Sequence, residues 1–176
     1  MATLTIGRPD TSELADYQIG YVSKVPGDDI MKFLEQQLEG TLNLLGRVKE
    51  DKGNFRYAPD KWTLKEVLGH IVDTERVMAY RALVFSRNDS TTLPGFDQDL
   101  WAKHASHANV SVKELAGEFG IVRRSTIELF RHLEAAAWTR HGTANNNPIT
   151  VRGLAYLIGG HAEHHLEILK SRYLAN

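Results

Sequence analysis

Four long stretches of this chain repeat apolar residues at steps of three and four, and that periodicity limits its fold more than any other property. The first covers about residues 28–49, where Ile30, Phe33, Leu34, Leu38, Leu42, Leu45 and Val48 gather on one stripe of a 3.6-residue helix. Pro26, Gly27, Asp28 and Asp29 mark its start, with carboxylates where the helix macrodipole favours them. A shorter helix is expected just upstream, in residues 12–23. The second long stretch opens at Thr63 with Glu66 three positions on. That is a capping box, in which the hydroxyl accepts from the Glu66 backbone and the carboxylate returns to Thr63. Its stripe continues from Leu64 to about Val84.

Ser111 and Glu114 repeat the capping box at the head of a third stretch, which carries Val112, Leu115, Phe119, Ile127 and Phe130 and fades near Trp138. The polar run TANNNP (143–148) reads as a turn leading to Thr150, the N-cap of a fourth helix expected over 151–173. No segment sustains strand-like alternation with hairpin signals, so a sheet is not expected. Four amphipathic helices without strands define an all-α chain, a four-helix bundle forming one domain over residues 1–176. A chain of this length buries roughly 70 % of its unfolded surface and needs no staple.

The absence of cysteine excludes thiolate zinc knuckles, redox dithiols, Fe–S clusters and a cysteine nucleophile. A net charge of −1, from 21 basic and 22 acidic residues, argues against a dedicated nucleic-acid partner. The first 11 residues lack the charged and apolar regions of an export signal, and no apolar run of about 18 residues could span a bilayer. A cytoplasmic location and no membrane partner are the expectation.

Histidine is the unusual residue, with three of the eight falling within five positions in GGHAEHHL (159–166). His161 and His165 are one helical turn apart and only about 40° apart around the axis, so both imidazoles can reach one ion. The glutamate of the HExxH zinc motif is missing, since Ala162 follows His161. Two histidines rarely hold a metal tightly, and the best third ligand is His70, inside the second helix on the stripe of Val67, Thr74 and Val77. His164 is an alternative ligand or a group supporting the others. Gly69, Gly159 and Gly160 each weaken their helices by up to ~1 kcal/mol, which suggests close helix approach beside an ion. His132 and His141 read as solvated or structural residues. Trp62, Phe33, Phe119 and Phe130 read as core. The charged run of Glu75, Arg76 and Arg81 is ambiguous, the ordinary role of such a run being a solvated face.

The segments KWTLKEVLGHIVDTERVMAYR (61–81), LPGFDQDLW (93–101) and GGHAEHHLEILKSRY (159–173) together resemble the DinB-like superfamily of metal-binding four-helix proteins. The resemblance covers nearly the whole chain and implies an up-down-down-up bundle with a long crossover between helices two and three. It also implies a divalent ion, nickel or zinc, held by His70, His161 and His165, and a homodimer. Characterised relatives include S-transferases that use a small thiol, which leads to the expectation of a metal-dependent thiol S-transferase acting on a small-molecule substrate. The low-molecular-weight thiol would arrive as a cofactor, because the chain has none of its own. One alternative is a metal-dependent hydrolase using activated water, with Asp73 or Asp97 as candidate catalytic base. Another is a non-catalytic metal-binding or stress-response protein. The 93–101 loop is expected to cover the site, with Phe96, Asp97 and Trp101 facing a ligand or anchoring the loop.

Overall fold

The computed structural model describes residues 6–175; residues 1–5, which begin the stretch read for an export signal, lie outside them. Among the described residues are the helices α1 (Asp16–Val22), α2 (Ile30–Leu45), α3 (Leu64–Ser86), α4 (Gln98–His104), α5 (Val112–Arg131) and α6 (Val151–Ile168). The long four are α2, α3, α5 and α6. Both capping boxes form, at Thr63 with Glu66 and at Ser111 with Glu114, and the Thr150 side chain accepts from Gly153 N.

Contacts between helices set the topology. Helix α3 packs on α5 and α6, and α2 packs on the same two, so helices consecutive along the chain sit across a diagonal at both ends of the sequence. Arg131, late in α5, reaches Glu35, early in α2, which makes that pair antiparallel. His70, early in α3, meets His161, late in α6, and that pair is antiparallel too. Helices α3 and α5 instead run parallel: Lys65 reaches Glu50, which also accepts from Val112 N at the head of α5, while Glu75 meets Arg123 further along. The result is the up-down-down-up bundle. Two parallel neighbours cannot be joined by a tight turn, so residues 87–111 form the long crossover between α3 and α5.

The helix ends fall differently from the sequence reading. Helix α2 stops at Leu45, followed by Gly46, and α5 stops at Arg131, leaving Trp138 on a separate 3-10 turn (Ala135–Thr139) where it stacks on Phe130 at 5.3 Å. Beyond Ile168 the fourth bundle helix continues as a π turn, Leu169–Tyr173.

A sheet, not expected from sequence, is present as one hairpin. Strands β1 (His141–Ala144) and β2 (Asn147–Thr150) pair antiparallel, with His141 opposite Thr150 and Ala144 opposite Asn147. Asn145 and Asn146 form the two-residue turn at φ 52° and 62°, a conformation asparagine tolerates better than most residues. Strands of four residues are too short to show alternation, which is why only the polar turn was visible. The hairpin holds the crossover: Leu93 N donates to Thr143 O and Asn145 N donates to Leu93 O.

The charged run on α3 is likewise not a solvated face. Arg76 is exposed, but Glu75 is 3 % exposed and Arg81 8 %. Glu75 accepts two bonds, at 2.8 and 2.9 Å, from Arg123, which is fully buried on α5. Arg123 also donates to Gln37 on α2, and Gln37 donates to Gly159 O and to Glu163 on α6. All four bundle helices are thus tied at one level of the core, beside the turn of α6 that carries His161.

Candidate metal centre

Burial and pairing bring three histidines to one point. His70 projects from α3, and His161 and His165 from successive turns of α6, with one ligand atom of each lying within 4.8 Å of the others. The Nε2 atoms of His70 and His161 are 3.0 Å apart. Two metal–nitrogen bonds of about 2.0–2.1 Å meeting at roughly 90–109° require a separation of about 2.8–3.4 Å, so His70 and His161 have the spacing of two ligands of one divalent ion. His165 is the neighbouring donor that a small ring movement brings to the third position. His70 Nδ1 lies 3.4 Å from the Thr74 hydroxyl one turn on, a partner that leaves Nε2 as the ligand atom.

The surroundings keep the rings neutral. Burial pushes His70 down to about 4 and His165 to about 3, and it holds His161 well below its ordinary value. Neutral imidazole is the form that binds a metal. Trp62 packs on His70 at 4.9 Å between ring centres, and Tyr21 lies 5.6 Å from His161. His164 sits outside the group of three, edge-on to His165 and Tyr21.

The sign of the pH response follows. In the metal-free protein, an unfolded histidine titrating near 6.5 binds protons that the folded rings refuse, so stability falls as pH drops below about 6.5 and continues to fall toward 4 and 3. Urea unfolding of the metal-free protein should show a loss of about 2 kcal/mol per buried histidine between pH 7 and 5. His70→Gln should flatten the profile by one such step; a profile already flat in the wild type contradicts the burial argument.

The glycines do mark close approaches of other segments to α3 and α6. A Cβ on Gly160 would lie 2.0 Å from Tyr21 O, so the backbone of α1 rests directly on α6 and brings Tyr17 and Tyr21 to the site. A Cβ on Gly69 would lie 2.0 Å from the His107 ring, which the crossover lays on α3.

Two clefts reach the centre. The larger, about 240 Å³, is bordered by His70, His161, Tyr21, Arg81, Phe96 and Asn145 among others. Its wall comes from the crossover and the hairpin tip, so the 93–101 segment does lie over the site, with Phe96 packed on Trp101 at 4.7 Å. The smaller, about 210 Å³, is bordered by His165, Trp62, Tyr57, Tyr173, Asp60 and Asp99 among others. Asp97 borders neither cleft; its exposed carboxylate caps α4 by accepting from Asp99 N and Leu100 N. Asp73 also borders neither, and lies 3.3 Å from Arg76 and 4.0 Å from His107. Residues that sequence reasoning missed are Thr74 as the partner of His70, and Asn145 and Arg81 on the cavity wall. His132 and His141 are on the surface.

Fold and site together define a helical bundle with a three-histidine cluster, buried at His70 and His161 and half-buried at His165, that opens onto two small clefts. Residues 34–169 match the DinB superfamily, and the chain belongs to that superfamily. It is 26 % identical over 155 residues to a protein of Oceanobacillus iheyensis named "Putative metal-dependent hydrolase OB0413", covering 84 % of this chain and 87 % of that one. Its fold is similar to that of YfiT from Bacillus subtilis, described as a probable metal-dependent hydrolase with an unusual four-helix bundle topology. That match has a TM-score of 0.68 at 14 % identity and covers 93 % of this chain and 91 % of YfiT. Among the described residues, no helix is long and apolar enough to cross a membrane.

Proposed function

We propose that this protein is a metal-dependent enzyme acting on a small molecule, with His70, His161 and His165 holding one nickel or zinc ion. The observation that carries this reading is the convergence of three imidazoles between two clefts, His70 and His161 lining the cavity of about 240 Å³ and His165 the smaller one. A divalent ion with three protein ligands supplies Lewis acidity and an open position at which a small nucleophile is acidified. Thr74 orients His70, while the Trp62 and Tyr21 rings shield the imidazoles from water.

Hydrolysis is the first reading, supported by the names of the two relatives. Asp60 and Asp99 are the carboxylates that line the smaller cleft with His165. Asp60 pairs with Lys61, which leaves Asp99 as the candidate base on that side. Transfer of a small thiol to an electrophilic carbon is the second, favoured by the larger cavity, which no carboxylate lines. Held by such an ion, the thiol would give up its proton to solvent, and its sulfur would bond to the carbon as the electrophile's leaving group departs, so no protein base would be required. The test is a paired screen of the metal-loaded protein, with esters and amides in water alone and alkylating electrophiles with and without bacillithiol or mycothiol. Turnover in water alone supports the hydrolase, and turnover only with thiol supports the transferase. Bound metal with neither activity would contradict both and leave a metal-binding or stress-response role.

A further inference from the structure

We infer that Arg81 is the substrate anchor of this cavity and that the substrate carries a carboxylate at the end remote from the histidines. The inference rests on the proposed enzymatic reading for its location, because the cavity lined by Arg81 is the one that reaches His70 and His161. Its own support is independent of the metal. Arg81 is 8 % exposed, yet among the described residues it makes one hydrogen bond, from Nη2 to Pro94 O at 2.7 Å, and no ion pair. A guanidinium offers five N–H donors and stays protonated in any protein environment.

Comparison with the other buried arginine shows how unusual this is. Arg123 has both arms of its fork on Glu75 and a further bond to Gln37. Arg81 has no carboxylate facing it: the residues lining its cavity are Tyr17, Tyr21, Gln98, Asn145, Phe96 and neutral neighbours. A buried cation without a counter-charge is costly unless a ligand supplies one. The single backbone bond fixes the side chain by its attachment to the crossover and leaves the rest of the fork for a ligand.

One guanidinium with no second cation suits a monoanion with two coplanar oxygens, which is a carboxylate; a phosphate dianion ordinarily gathers more positive charge. The position along the helix gives the polarity of binding. His70, Thr74, Met78 and Arg81 follow one face of α3, and eleven residues correspond to about 16 Å of rise between the α-carbons of His70 and Arg81. The arginine side chain leans back toward the helix N-terminus and shortens that span. The carboxylate and the reacting group therefore occupy opposite ends of the ligand. Met78, Leu157 and Phe96 give the space between them an apolar lining.

The test uses metal-free protein, so that no probe can bind through an ion. Benzoate, phenylacetate and inorganic phosphate are titrated into wild type, Arg81→Lys and Arg81→Met by heteronuclear NMR, with benzamide and phenylacetamide as neutral controls. At least one carboxylate should bind the wild type roughly tenfold or more tightly than its amide, with shifts at Arg81 and Phe96. Arg81→Met should erase that preference and Arg81→Lys should keep part of it, all three proteins loading metal equally. Equal binding of acid and amide by the wild type, no binding by any acid, or Arg81-dependent binding of phosphate alone would overturn the inference. A carboxylate preference in a protein that takes up no metal would leave the anchor standing and contradict the metal-dependent reading instead.

Discussion

His161→Ala is expected to abolish tight metal binding. The ring is buried between α3 and α6 and shares the centre with His70 and His165, so alanine leaves two donors on different helices and an empty volume where the third nitrogen was. Loss of a group that merely orients a ligand ordinarily costs 10–100-fold in metal affinity, and loss of the ligand itself should exceed about 100-fold. Any activity that depends on the ion should fall with it. A tight ligand present at about 1,000 times its dissociation constant stabilises the folded state by about 4 kcal/mol, so the rise in Tm on adding metal should vanish as well. His164→Ala is the control. Its ring lies edge-on to His165 and Tyr21, outside the converging group, and the variant should load one equivalent as the wild type does. Metal stoichiometry and melting curves for the two variants check both statements together.

Glu75→Ala should produce the largest loss of stability among single surface-like substitutions on α3. Removing this carboxylate strands Arg123, which is fully buried and donates two bonds to it, and breaking one partner of such a pair costs about 3–5 kcal/mol. Arg76→Ala, one residue on, should cost no more than about 1 kcal/mol, because its pairs with Asp73 and Glu118 are exposed. Urea unfolding separates the two. Equal effects at the two neighbouring positions would mean that the buried network contributes nothing particular to the fold.

The four bundle helices and the converging histidines were legible in the residues because each rests on a local signal. Two capping boxes mark α3 and α5, and one turn of helix brings His161 beneath His165. The expectation that His70 would join them needed only the neighbouring antiparallel helix, which the DinB resemblance implied. What escaped depends on contacts between distant segments. Glu75 looks like Arg76 until Arg123 is known to face it from α5. Asp97, a candidate base by its position on the covering loop, is engaged in capping α4, and Asp73 faces Arg76 and His107 rather than either cleft. The hairpin is held by an Asn145–Asn146 turn whose positive φ angles only a pairing partner could disclose, and it supplies part of the cavity wall. Arg81 escaped for the same reason as Glu75: a charge on a helix is ordinarily solvated, and its burial depends on distant segments, among them the crossover, whose Pro94 carbonyl accepts from it.

X-ray absorption on the wild-type protein loaded with nickel or zinc tests the central claim most directly. The predicted result is one ion per chain with three imidazole nitrogens at about 2.0–2.1 Å, and oxygen or sulfur donors only from solvent or an added thiol. Failure to retain a stoichiometric ion, or a spectrum dominated by carboxylate oxygens and unchanged in the His161→Ala protein, would contradict it.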